Sequence, residues 1–126
     1  MATILIVDDE YLIAQILEFA LEDEGYGVVT ASNGKKALDV IDRERPDLII
    51  TDFMMPTMDG LEFARAVRKR PELQKVPILL MSGAQGSVGR ASPDLFAAVF
   101  DKPFKLEDIT LMVNQLLGRP PGIDRS

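Results

Sequence analysis

"PDLIITDFMMPTMDG", residues 46–60, carries an uninterrupted apolar or β-branched run from Leu48 to Thr51, then a bare carboxylate, Asp52, then a turn marked by Pro56 and Gly60. A short run bounded by turn residues predicts a strand, and continuous rather than alternating apolarity predicts one buried on both faces. Such a strand ending in Asp delivers a charge to the rim of a sheet. The pattern recurs along the chain, with strands expected over residues 3–7, 28–31, 48–51, 77–81 and 99–100.

Between these runs lie stripes of helical period. They comprise Leu12, Ile13, Ile16, Leu17, Ala20 and Leu21, then Leu61, Ala64 and Val67, then Leu106, Ile109, Val113, Leu116 and Leu117. Each stripe can lie against a sheet. Gly25, Gly34 and Pro46 stand where helices stop or start. The weakest stretch is "GAQGSVGRAS", residues 83–92, which holds three Gly and one large apolar side chain, Val88. Ser92, Pro93 and Asp94 read as an N-cap and first turn, predicting a short fourth helix over 93–98 after a long, mobile loop. Strict alternation of strand and helix implies a doubly wound α/β domain: a five-stranded parallel sheet with right-handed crossovers and helices on both faces. Function in such folds sits in the crevice beyond the carboxyl ends of the strands.

Composition narrows the chemistry. At 126 residues and 47% hydrophobic the chain is the size of one domain. Its net charge of −6 lacks the basic footprint of a nucleic-acid binder. The absence of Cys excludes disulfides, thiol catalysis and Cys-based zinc sites, and the absence of His removes the commonest proton shuttle and metal ligand. Any bound metal is therefore held by oxygen, which favours a hard ion such as magnesium, calcium or manganese. No window reaches the ~18 apolar residues of a membrane span, and no signal peptide precedes the first strand, so a cytoplasmic location is expected.

The residues just past the expected strands are Asp8 and Asp9, Ser32, Asp52, Ser82 and Lys102. Ser32 follows a strand expected at a sheet edge and is set aside. Each of the others has a structural explanation: a helix cap, a turn cap, a satisfied loop amide, a solvated ammonium. Together they are harder to explain that way, because carboxylates ~5 Å apart repel by roughly 3 kcal/mol per pair at an effective dielectric near 20. A divalent cation removes that repulsion, and carboxylates with a backbone carbonyl and waters suit magnesium. Ser82 and Lys102 then read as contacts to an incoming anion. A carboxylate beside such an ion can act as nucleophile toward a phosphoryl group, giving an aspartyl phosphate.

In this order, "ILIVDDE", "PDLIITDFMMPTMDG", "PILLMSG" and "FDKPF" resemble the receiver domain of two-component response regulators, over essentially all of residues 3–117. The resemblance implies a flavodoxin-like sheet of order 2-1-3-4-5. It also implies that Asp52 is the phosphoacceptor, with magnesium, or alternatively manganese, held by Asp8, Asp9, Asp52 and the backbone carbonyl of Met54. Of the acidic pair, Asp9 is expected to ligate directly and Asp8 through water. Ser82 would sense the phosphoryl group, Lys102 would pair with it, and Lys102-Pro103 would be a cis peptide. The implied donor is a histidine kinase or histidine phosphotransfer protein, since the chain has no His of its own. Partner choice is expected to involve the first helix, with Tyr11, Ala14, Gln15 and Glu18 outward, the alternative being that these four form a plain solvated face.

One position departs from the family pattern. Val99 stands three residues before Lys102, where many receivers carry an aromatic rotamer switch, and this directs attention to ordering of residues 83–92 as the output device. Two rival functions are weighed. A haloacid-dehalogenase-like phosphatase needs a general acid two residues after its nucleophile, where Met54 stands. A flavodoxin-like flavin binder needs a phosphate loop where Asp8, Asp9 and Glu10 would repel it. Residues 1–118 are expected to form the receiver domain, and 119–126 a Pro/Gly-containing tail or the start of a linker to an output domain.

Overall fold

The computed structural model describes residues 1–83 and 86–118. Five strands, β1 (Thr3–Val7), β2 (Gly27–Ala31), β3 (Leu48–Asp52), β4 (Ile78–Ser82) and β5 (Ala98–Asp101), pair in parallel in the order β2-β1-β3-β4-β5. They alternate with α1 (Tyr11–Asp23), α2 (Gly34–Glu44), α3 (Gly60–Arg68), α4 (Gly86–Arg90) and α5 (Leu106–Leu116). The expected doubly wound architecture and strand order are both present. The tail over 119–126 lies outside the described residues.

Each apolar strand run is divided between two cores because successive side chains point to opposite faces. Leu5, Val7, Ile49, Ile78 and Leu80 pack with Ala37 and Ile41 of α2 and Phe63 and Val67 of α3. Ile4, Ile6, Leu48, Ile50, Leu79 and Met81 pack on the other face with Leu17 and Leu21 of α1 and Ile109 and Val113 of α5. Burying each such side chain contributes ~1.5–3 kcal/mol, so a sheet covered on both sides fixes its own register. A buried polar link joins the second layer: the Tyr26 hydroxyl donates to the Asn114 amide oxygen, whose amide nitrogen donates to Glu24 at 2.9 Å.

Two local expectations are corrected. The fourth helix lies over Gly86–Arg90 rather than 93–98, and Ala98 instead opens β5. The reason is close packing at Gly89, where an added Cβ would stand 2.5 Å from Leu80 Cδ2 and 2.9 Å from Val99 Cγ2. A helix can rest directly on those strands only without a side chain there. Residues 83–92 are thus not simply a long loop, although residues 84 and 85 lie outside the described part. In α1 the buried face is Ala14, Leu17 and Leu21, while Leu12, Ile16 and Phe19 are 70%, 55% and 61% exposed. Ala14, expected outward, is therefore core. Two stripes in this helix satisfy the same period, and its roll on the sheet selects between them.

Candidate functional site

Parallel pairing brings the carboxyl ends of β1, β3, β4 and β5 to one rim. The register aligns Val7 with Thr51, Asp52 with Met81, and Ser82 with Asp101. Asp52 is the last residue of β3 and is buried. Asp8 follows β1 and is also buried, its N–H donating to the carbonyl of Ala31 at 3.1 Å. Lys102 follows β5, and its N–H donates to the Ser82 carbonyl at 2.7 Å, so the start of the loop after β5 is pinned to β4. From there its ammonium reaches Asp52 Oδ1 at 3.0 Å. The Lys102-Pro103 peptide is cis, as the family resemblance implied.

Gly60 sets the far wall of the crevice. Its N–H donates to the Phe53 carbonyl at 2.8 Å, and a Cβ there would lie 2.6 Å from the Asp52 carbonyl oxygen and 2.9 Å from Phe53 Cα. Only glycine lets α3 start this close to the β3 terminus. Asp59 fixes that start through a capping box. Its side chain accepts from the Glu62 N–H at 2.8 Å, while the Glu62 carboxylate accepts from the Asp59 N–H at 3.0 Å.

Acids and base at the rim hold one another in an uneasy balance. Burial pushes the Asp8 carboxyl up to about 6, with the Asp52 and Glu10 charges adding to the rise and the Glu10 N–H and Lys102 opposing it. Burial likewise raises Asp52, outweighing its hydrogen bond and attraction to Lys102. Desolvation pulls the Lys102 ammonium down, yet the hydrogen bond to Asp52 and the charges of Asp52, Asp8 and Glu10 prevail, and its pKa is raised. The two partners of the ion pair thus both shift upward: attraction prevails at the ammonium, desolvation at the deeper carboxylate. One acceptor is left over. Asp8 Oδ2 is buried with no hydrogen-bond partner, and an orphaned buried carboxylate oxygen is costly unless a cation or donor meets it.

Of the residues expected from sequence, Asp8, Asp52, Ser82 and Lys102 come together at this rim. Ser82 is fully buried at the end of β4. Asp9 is exposed beside the cluster, near enough for its charge to raise Asp52 further. Met54 presents a largely exposed side chain, compatible with a role for its main chain alone. Sequence reasoning missed Glu10, whose carboxylate lies with those of Asp8 and Asp52 so that one ligand oxygen from each falls within 4.8 Å of the others. The signal was present as a third consecutive acid after the first strand, but it reads there only as added negative charge. Oxygen-only donors around an orphaned carboxylate fit a hard divalent cation.

A doubly wound sheet with an acid cluster, a hydroxyl and a lysine at its carboxyl rim defines a class of phosphoryl-responsive signalling domain. The chain belongs to the response regulator receiver domain family of two-component signalling, which it matches over residues 4–114. It is 39% identical to response regulator MprA of Mycolicibacterium vanbaalenii over 119 residues, covering 92% of this chain and 50% of that protein. The chain thus spans about half the length of that curated relative. Among solved structures, the chemotaxis response regulator CheY4 of Vibrio cholerae is similar at a TM-score of 0.84 and 33% identity, covering 92% of this chain and 98% of the other. The response regulator TrrA of Thermotoga maritima, solved in complex with Mg2+-BeF, matches at a TM-score of 0.81 and 32% identity, covering 92% and 99%. Among the described residues, no helix is long and apolar enough to cross a membrane.

Proposed function

We propose that Asp52 accepts a phosphoryl group from the phosphohistidine of a histidine kinase or histidine phosphotransfer protein, in a magnesium-dependent reaction, and that the modified domain changes its protein contacts. The observation that carries this reading is the buried Asp52 carboxylate, paired with Lys102 at 3.0 Å beside the orphaned Asp8 oxygen. Asp8, Asp9, Asp52 and the Met54 carbonyl would hold magnesium. When bound, it supplies positive charge against the transferring oxygens. A carboxylate oxygen of Asp52 forms the new P–O bond as the donor's P–N bond breaks, and that electron pair returns to the donor's imidazole. Lys102 keeps its ammonium against the nucleophile before transfer and against the phosphoryl oxygens after it. The Ser82 hydroxyl, buried at the end of the neighbouring strand, would turn toward the same oxygens.

The donor surface proposed is the start of α1 next to Asp8. Tyr11 and Leu12 are 72% and 70% exposed there, and Ile16 and Phe19 continue the apolar ridge. An exposed apolar ridge beside a phosphoacceptor suits a helical partner that delivers its phosphohistidine at the rim. Acetyl phosphate with magnesium is expected to label the chain once, and Asp52→Ala to abolish the label, as read by intact-mass spectrometry. Retained labelling of that variant would move the acceptor elsewhere.

A further inference from the structure

Glu10 occupies the N-cap position of α1, yet its side chain makes no capping hydrogen bond. The short side chains of Asp, Asn, Ser and Thr are the ones that accept from a free N–H of the first turn, and the longer Glu is not held in that role. Here the carboxylate faces the crevice instead. Its Oε1 lies 3.6 Å from Lys102 Nζ, on the same ammonium that Asp52 engages at 3.0 Å, and the Glu10 and Asp52 ligand oxygens share one 4.8 Å cluster with Asp8. The Glu10 main chain serves the same centre, its N–H donating to Asp8 Oδ1 at 2.8 Å. That bond leaves Asp8 Oδ2 as the buried acceptor without a partner, which independently marks the cluster as a place where a cation is wanted.

From this arrangement we infer that Glu10 is a positioning residue that tunes the magnesium affinity of the site by giving Lys102 a second carboxylate to pair with. The inference rests on the metal reading proposed above. Two effects act in one direction. The Glu10 charge adds to the field that attracts a divalent ion, since it brings one more carboxylate to the cluster of Asp8 and Asp52. It also draws Lys102 partly off Asp52, and a cation competes with Lys102 for that carboxylate. Without Glu10 the lysine has only Asp52 to pair with at this distance among the described ion pairs, and it screens the ligand more completely.

The test is magnesium titration of the unphosphorylated protein by calorimetry, comparing wild type with Glu10→Gln. Since Glu10 is exposed and caps nothing, the variant folds, and far-ultraviolet circular dichroism verifies it. The dissociation constant for magnesium is expected to rise about fivefold, the scale of one partly solvated charge near the ion. The magnesium concentration for half-maximal acetyl phosphate labelling rises by the same factor. Glu44→Gln, at the far end of α2, removes the same charge at a distance and leaves the constant within error of wild type. A Glu10→Gln constant equal to that of wild type overturns the inference and leaves the phosphoacceptor reading standing. Failure of wild type itself to bind magnesium overturns both. An equal weakening by Glu44→Gln reduces the effect to net charge and also overturns the inference.

Discussion

Asp8 shows how burial turns a common side chain into a conditional one. The folded protein holds its proton at about 6 against an ordinary value of 3.8, so ionising it costs folding free energy. That cost is absent below pH 3.8, grows as pH rises to about 6, and is constant above that. Asp8→Asn keeps the acceptor for the Glu10 N–H and removes the charge. In metal-free solution at pH 7 the variant is expected to be more stable than wild type by about 2–3 kcal/mol. The gain should shrink through pH 6 and vanish near pH 4, as followed by urea unfolding across that range. A gain independent of pH would assign the effect to packing rather than charge. At this scale much of the site was legible, because Asp8, Asp52, Ser82 and Lys102 each follow or end an apolar run and parallel pairing does the rest. Glu10 was not, because which way a helix-initial side chain turns depends on where Lys102 comes to lie, some ninety residues further along.

Helices separate into those whose sequence carries its own evidence and those whose evidence is a neighbour. The third and fifth show one apolar stripe each, the second is bounded by Gly34 and Pro46, and α3 adds Asp59 and Glu62 at capping-box spacing. The first helix carries two stripes of equal period, and only contact with the sheet chooses Leu17 and Leu21 over Leu12 and Ile16. In the fourth, five residues are too few for periodicity, and Gly89 reads as a helix breaker when it is in fact the contact that seats the helix. Its partner is Val99, the residue standing where a larger aromatic is usual in the family. Small residue meets small residue, and the α4 backbone comes close to the Val99 side chain. Arg90 then ties the end of α4 to Asp101 of β5 at 2.5 Å. Gly89→Ala is expected to destabilise by about 1–3 kcal/mol through overpacking. In a Val99→Ala background the same substitution should cost measurably less, a coupling that a double-mutant cycle by urea unfolding reads directly. Full additivity would mean that the helix shifts away rather than pressing on Val99.

For the molecule as a whole, continuous apolar runs alternating with helical stripes sufficed for the doubly wound class, because a sheet covered on both faces buries Leu48 to Thr51 entirely, while the strand order was legible only through the family resemblance. The same architecture collects charge where it is least comfortable. Magnesium is expected to raise the melting temperature in the millimolar range, since a ligand that binds only the folded state stabilises it. The gain should be lost or strongly reduced in Asp8→Asn, as measured by calorimetric melting. An unchanged wild-type melt would mean that the acids are not preorganised for the ion. Lys102 gives the arrangement a further property. Its main chain is moored to the Ser82 carbonyl while its ammonium sits at the end of a supple hydrocarbon arm. Swapping one anion for another at the rim therefore asks for a swing of that arm about an anchor held on the neighbouring strand.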